Sequence, residues 1–214
     1  MSSCGSDAPA LEGSAVKEIP AKLVAELRAR TGAGMMDCKK ALEEADGDLE
    51  KAVDILRQKG SARADKRAGR EASEGLIGSY VHHDGGIAAL VELNCETDFV
   101  ARLADFKALA KELAMHVAAM KPLAVRIEDL APDVVQRERQ VYEAQVADQK
   151  KPENLRAKIV DGMMKKFYEE RVLLEQRFFK DEKRTVGELV KELSAKTSEK
   201  ISVRRFVRLE IGGN

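Results

Sequence analysis

Leu23, Val24 and Leu27 recur at helical spacing behind Pro20, a residue suited to a first helical turn. They predict a helix ending at Thr31-Gly32-Ala33-Gly34, where glycine can take a positive φ at no steric cost. A second helix is expected from Met35 to about Glu44. After the break Asp46-Gly47-Asp48, the positions Leu49, Ala52, Val53, Ile55 and Leu56 predict a third helix that stops at Gly60. The period then shortens. Gly75 to His83 and Ile87 to Asn94 read as paired strands around the turn Asp84-Gly85-Gly86. Helical spacing returns with Val100, Leu103, Phe106, Leu109, Leu113, Val117 and Met120, which predict one helix ending before Pro122. Pro132-Asp133 and Pro152-Glu153 look like the starts of two charged helices, about 133–148 and 153–170, forming a projecting pair with one apolar seam. Thr185-Val186-Gly187-Glu188-Leu189 opens a helix to about Lys196. Ile201, Val203, Val207, Leu209 and Ile211 then fall on one side of a last strand, interrupted by Arg205, which joins the hairpin in one antiparallel sheet.

These elements divide the chain into an extension, residues 1–18, rich in Ser, Gly and Ala; a three-helix module, 19–60; a charged stretch, 61–74; and an α+β core, 75–214. The charged stretch, with Arg63, Lys66, Arg67 and Arg70 against Asp65, Glu71 and Glu74, reads as a solvated and potentially helical linker between domains in preference to the alternative, a phosphate-binding patch. The fold class is α+β, a helical N-terminal module followed by helices packed on a small antiparallel sheet.

Charge narrows the partners. Lys plus Arg number 37 and so do Asp plus Glu, so no cationic excess favours direct nucleic-acid binding. No apolar run approaches the roughly 20 residues that span a bilayer, and no apolar signal core is visible, so a cytoplasmic protein is expected. Cys4, Cys38 and Cys95 fit reduced thiols better than a disulfide framework. His82 and His83, adjacent at the hairpin end, point to opposite faces of a strand and do not make a chelating pair. No metal site or cofactor is expected.

The motifs argue against covalent chemistry. Gly32-Ala33-Gly34 lacks the third glycine of a dinucleotide fingerprint and follows a helix rather than a strand. A phosphate loop, a His-Glu-x-x-His and a Gly-x-Ser-x-Gly are all missing from the sequence. The remaining features are contact candidates. Met35-Met36 beside a glycine loop reads as core filler on spacing alone, or as an adaptable contact surface. Thr97 and Asp98 carry side-chain oxygens that suit a helix start, and Phe99 in the first turn is either a core aromatic or a projecting ring.

Two stretches bear on that choice. Thr31-Gly32-Ala33-Gly34-Met35-Met36-Asp37-Cys38-Lys39-Lys40-Ala41-Leu42 resembles the N-terminal signature of the bacterial elongation factor Ts family. Glu92-Leu93-Asn94-Cys95-Glu96-Thr97-Asp98-Phe99-Val100-Ala101 resembles its second signature, and the likeness runs from about residue 19 to the end, with Thr185 to Leu189 and Val203 to Phe206 similar as well. The resemblance implies a guanine-nucleotide exchange factor, not an enzyme, that acts on GDP-bound elongation factor Tu, with a ubiquitin-associated-like N-terminal module and an α+β core. It implies that Thr97, Asp98, Phe99 and Val100 dislocate the partner's Mg²⁺, the ring acting as a wedge, and that Met35, Met36 and Lys39 contact the same GTPase. Asp98 would either bring a competing negative charge to that site or cap the helix. The chain resembles the short members of the family, for which a homodimer is expected, and an exposed edge on the last strand would serve it. Two departures fall near the sheet: Arg177 stands where the family usually has proline, and Ser198-Glu199-Lys200-Ile201 replaces a more usual Gly-Glu-Asn-Ile. The rival readings are a partner-binding module without exchange activity and a thiol or hydrolytic enzyme using Cys95.

Overall fold

The computed structural model describes residues 19–147 and 152–213, so the extension 1–18 and the expected last residue of the first charged helix lie outside the described residues. Two compact units divide at Gln58 and Lys59. In the first, α1 (Ala21–Thr31) ends where Gly32 takes φ 68° and donates its N–H to the Arg28 carbonyl. α2 (Met35–Glu44) follows, and Asp46 and Gly47, both at positive φ, turn the chain into α3 (Leu49–Arg67). The Asp48 carboxylate accepts the free N–H groups of Glu50 and Lys51 at 3.0 and 3.1 Å. Leu27, Cys38, Ala41, Leu42 and Ala52 are fully buried and form this unit's core.

The helix stop expected at Gly60 is not there, because α3 continues to Arg67. Gly60 serves a close approach instead. Gly60 and Ala195 both belong to the second unit, where a Cβ built on Gly60 would lie 2.9 Å from the Ala195 side chain, and the charged residues 61–67 take the helical form that the linker reading allowed.

In the second unit β1 (Glu74–Val81) and β2 (Ile87–Cys95) form the expected hairpin. α4 (Asp98–Arg102) and α5 (Ala104–Met120) follow β2, α6 (Pro132–Ala147) and α7 (Glu153–Arg171) make the charged pair, and β3 (Arg177–Phe178) and β4 (Asp181–Thr185) form a small second ribbon. α8 (Val186–Thr197) opens on a capping box in which Thr185 Oγ1 accepts from the Glu188 N–H and the Glu188 carboxylate accepts from the Thr185 N–H. β5 (Ser202–Glu210) pairs with β2, giving the antiparallel order β1-β2-β5. α5 lies on the inner face of this sheet. Val91, Leu93, Phe106, Leu113, Val117 and Val203 interlock there with almost no exposure, while α6 and α7 close over a separate cluster around Val146, Val160 and Met164.

Two expected elements are interrupted. The single helix from Val100 is two, because Leu103 takes ψ 142° between α4 and α5. The last strand does not keep one apolar side. Arg204 and Arg205 together oppose Glu92, since Glu92 pairs with Arg205 and Leu93 with Val203. That bulge turns Ile201, Val203 and Phe206 inward and Val207 and Leu209 outward. The physical reason is Arg205. An even pleat would bury its guanidinium beside Val203, whereas the bulge leaves both arginines exposed and bonded to the Glu92 carboxylate at 3.2 and 2.7 Å.

A buried polar pair ties α5 to the chain beyond α7. His116 Nε2 and Gln176 Oε1 are 2.9 Å apart, Gln176 Nε2 donates to the carbonyls of Met120 and Glu170, and His116 Nδ1 accepts the Phe179 N–H. This network fixes a neutral imidazole with its proton on Nε2, because a second proton on Nδ1 would face the Phe179 donor. Burial accordingly lowers the His116 pKa from its ordinary 6.5. The unfolded chain therefore binds this proton more tightly than the folded one. Stability is whole above about pH 6.5 and falls as pH drops from there to the depressed folded value. Between about pH 7 and about pH 5.5, above the range in which the carboxylates titrate, the melting temperature should fall in the intact chain and fall less in His116→Gln. Equal slopes for the two proteins would contradict this assignment.

Candidate partner-binding site

β2 ends in the core with Cys95, and α4 begins three residues later at the surface. The residues between are pinned. Thr97 donates its N–H to Glu199 Oε2 at 3.1 Å and its hydroxyl to Glu199 Oε1 at 2.6 Å, and its carbonyl accepts from the Cys95 thiol at 3.1 Å and from the Ala101 N–H. Thr97 sits at the helix cap position but makes no side-chain cap bond, so the capping read from its residue type is not what its hydroxyl does. Asp98 makes none either; its carboxylate accepts from Arg102 Nη2 at 2.7 Å one turn along the surface.

Phe99 follows at 75% exposure, the ring standing clear of the protein, and Val100 turns back into the core at 7%. The four residues Thr97 to Val100 thus differ in role. Thr97 and Val100 are anchors, and Asp98 and Phe99 are presented to solvent. In the first unit Met35 and Met36 open α2 at 59% and 65% exposure, which overturns the core placement that their spacing favoured. Lys39 lies one turn further along the same helix, half exposed, with Glu43 at 3.9 Å. Gly34, before the two methionines, is extended at φ −61° and ψ 146°, and of the residues of α2 Cys38, Ala41 and Leu42 are the buried ones.

The thiol chemistry considered for Cys95 is disfavoured by its surroundings. The sulfur is fully buried, and burial, reinforced by the Glu199 charge, pushes its pKa up to about 11, so it stays a thiol at neutral pH. Among the described residues no group of three His, Cys, Asp or Glu side chains is placed to hold a metal ion, and no helix is long and apolar enough to cross a membrane.

Glu199 is the residue that spacing did not single out. It lies 102 positions from Thr97 and meets it only because β5 returns to β2. The one signal was its place in the tail segment Ser198 to Ile201, where Ser198 occupies φ 60° at a position for which the resemblance expects glycine.

A helical first unit is followed by an α+β core, and that core presents an exposed ring at a pinned strand-to-helix junction. The family model described as Elongation factor TS matches residues 20–213, and the chain belongs to that family of translation elongation factors. It is 54% identical over 195 residues to Elongation factor Ts of Fervidobacterium nodosum, covering 91% of this chain and 99% of that one. It is 55% identical over 195 residues to Elongation factor Ts of Thermotoga maritima, covering 91% and 97%. Against Elongation factor Ts of Desulforamulus reducens the identity is 54%, with 91% and 90% covered.

Proposed function

We propose that this chain is a guanine-nucleotide exchange factor that binds GDP-bound elongation factor Tu, dislocates its Mg²⁺ and so speeds release of GDP. The observation that carries the reading is Phe99, an aromatic ring left exposed on a junction whose other residues are fixed. Bound Mg²⁺ offsets nucleotide phosphate charge, so displacing its ligands weakens GDP binding without breaking a covalent bond. Exchange factor and GDP must then each weaken the other's hold on the GTPase. In this reading Phe99 is the wedge, Asp98 presents a carboxylate beside it, and Thr97 and Val100 carry the wedge from behind. Met35, Met36 and Lys39 supply a second, adaptable contact on the same partner. The chain makes no covalent step and needs no cofactor of its own.

The direct test is release of a fluorescent GDP analogue from elongation factor Tu, with and without this protein. Catalytic amounts should accelerate release. Binding without acceleration would leave a partner-binding module and defeat the exchange reading.

The same reading includes a homodimer. Its support is the outer face of the sheet rather than the edge of β5 alone: Ile77, Val81, Leu90, Val207 and Leu209 are all exposed there, and the register sets Leu90 directly beside Val207. Contiguous apolar side chains on three paired strands are a surface that a second sheet covers well. Leu90→Lys, which changes an already exposed side chain, should shift the sedimenting mass from two chains to one at unchanged melting of the monomer. A single-chain mass for the unaltered protein would refute the dimer.

A further inference from the structure

The junction before Phe99 is held by a reciprocal pair of carboxylates. Glu199 takes both the N–H and the hydroxyl of Thr97. Glu96, the residue before Thr97, takes the N–H of Lys200, the residue after Glu199, at 2.6 Å, and also Arg70 Nη1 at 3.3 Å. The Lys200 N–H, and then Arg70, hold the Glu96 carboxyl below the usual range, as expected of a carboxylate committed to donors. Each segment thus lends a side chain to the other's backbone. The second segment is itself tied down: the Ser194 hydroxyl donates to the Glu199 carbonyl at 2.5 Å, the Glu199 N–H donates to Thr197 Oγ1 at the end of α8, and Ile201 is buried.

Resting on the exchange reading above, we propose that Glu199 is a positioning residue for exchange, setting the orientation in which Phe99 meets the GTPase. In this role Glu199 acts through Thr97, to which both of its carboxylate oxygens are bonded. Charge-assisted hydrogen bonds to a carboxylate are the strong ones, and two of them on one residue fix both its backbone and its side chain. With Thr97 fixed, α4 starts in one direction, Val100 enters the core, and the ring two residues after Thr97 has one place to stand. A wedge works by geometry, so its freedom to swing lowers the yield of each encounter more than it lowers the affinity.

The role predicts a division between the two parameters of the exchange reaction. Glu199→Ala should reduce the maximal rate of GDP release by about tenfold while changing the half-saturating concentration by no more than about twofold. Glu199→Gln, which keeps one acceptor oxygen for Thr97, should recover much of the loss. Thr97→Val in the Glu199→Ala background should add little, because the two residues act as one unit. Amide hydrogen exchange of the full chain supplies a readout independent of the GTPase: Thr97 to Ala101 should lose protection in Glu199→Ala, with β1 and α5 unchanged. Unchanged maximal rates in a variant that has lost protection would overturn the positioning role, as would additive losses for Glu199 and Thr97. Should Glu199→Ala fail to fold, the same two readouts on Thr97→Val, which removes only the hydroxyl's bond, decide the matter. An unaltered chain that does not speed GDP release would sink the exchange reading and the positioning role with it, and the intact chain's failure distinguishes that case from a failure confined to the variants.

Discussion

Phe99→Ala should lower the maximal rate of GDP release by about a hundredfold and leave the melting temperature where it was. The two halves of this expectation come from the same observation. At 75% exposure the ring contributes little buried area to the fold, so its truncation belongs with surface substitutions, whose effects stay within about 0.5 kcal/mol. At an interface the same ring is the kind of aromatic anchor whose loss costs about 2 kcal/mol or more, a factor of about thirty upward. Phe99→Leu keeps apolar volume without a rigid plane and should fall between the two. The measurement is the fluorescent-GDP assay over a range of exchange-factor concentrations, paired with thermal melting of each variant. A fully active Phe99→Ala protein would leave the function possible and remove the wedge.

Gly78→Ala should be strongly damaging to the second unit for the addition of a single methyl group. Gly78 pairs with Val91 in the sheet and faces α5 at its closest approach. A Cβ there would lie 2.1 Å from the Ala110 carbonyl oxygen and 2.4 Å from its carbon. Those are backbone atoms, so no rotamer change relieves the contact. α5 would have to lift off β1, taking Phe106, Leu113 and Val117 partly out of a close-packed layer. Overpacking that side chains can absorb costs about 1–3 kcal/mol, and this site lacks that route, so a loss of about 3 kcal/mol or more is expected, about 6–12 °C in melting temperature. Gly162→Ala is the control. It sits in α7 with nothing within 4 Å of the added methyl and should stabilise by about 0.5–1 kcal/mol. Gly78→Ala melting with the unaltered protein would mean that α5 does not rest on the strand as described.

The elements were legible wherever one rule governed a whole stretch. Pro20, Gly32 and Asp48 mark boundaries of the first three helices, and Asp84-Gly85-Gly86 marks the hairpin, because each residue type acts through its own backbone or its nearest neighbours. The illegible features came from contacts distant in sequence. Gly60 looks like a stop until Ala195 is known to lie against it. Leu103 keeps the three-and-four spacing of Val100 and Phe106, yet it is exposed and non-helical, because the step between α4 and α5 repositions the chain without disturbing the count. The candidate site divides the same way. Local sequence placed Phe99 at a helix start, but only Glu199, arriving from the far end of the chain, explains why Thr97 does not cap that helix. For Met35 and Met36 spacing alone favours the core, since methionine usually fills interiors, whereas the alternative of a contact surface is the one that agrees with two side chains exposed at the start of α2.

The extra residue in β5 gives one strand two grammars. Before Arg204 the inward positions are odd-numbered, Ile201 and Val203; beyond it they are even-numbered, Phe206 and Arg208. Tolerance to polar substitution therefore reverses phase within nine residues, and an alignment that slides this strand by one position would exchange its inside for its outside. An insertion or deletion on the C-terminal side of the bulge is consequently a different event from one at Arg204 itself. The first inverts every later position of the strand, whereas loss of the bulged residue leaves both flanking runs in phase with β2.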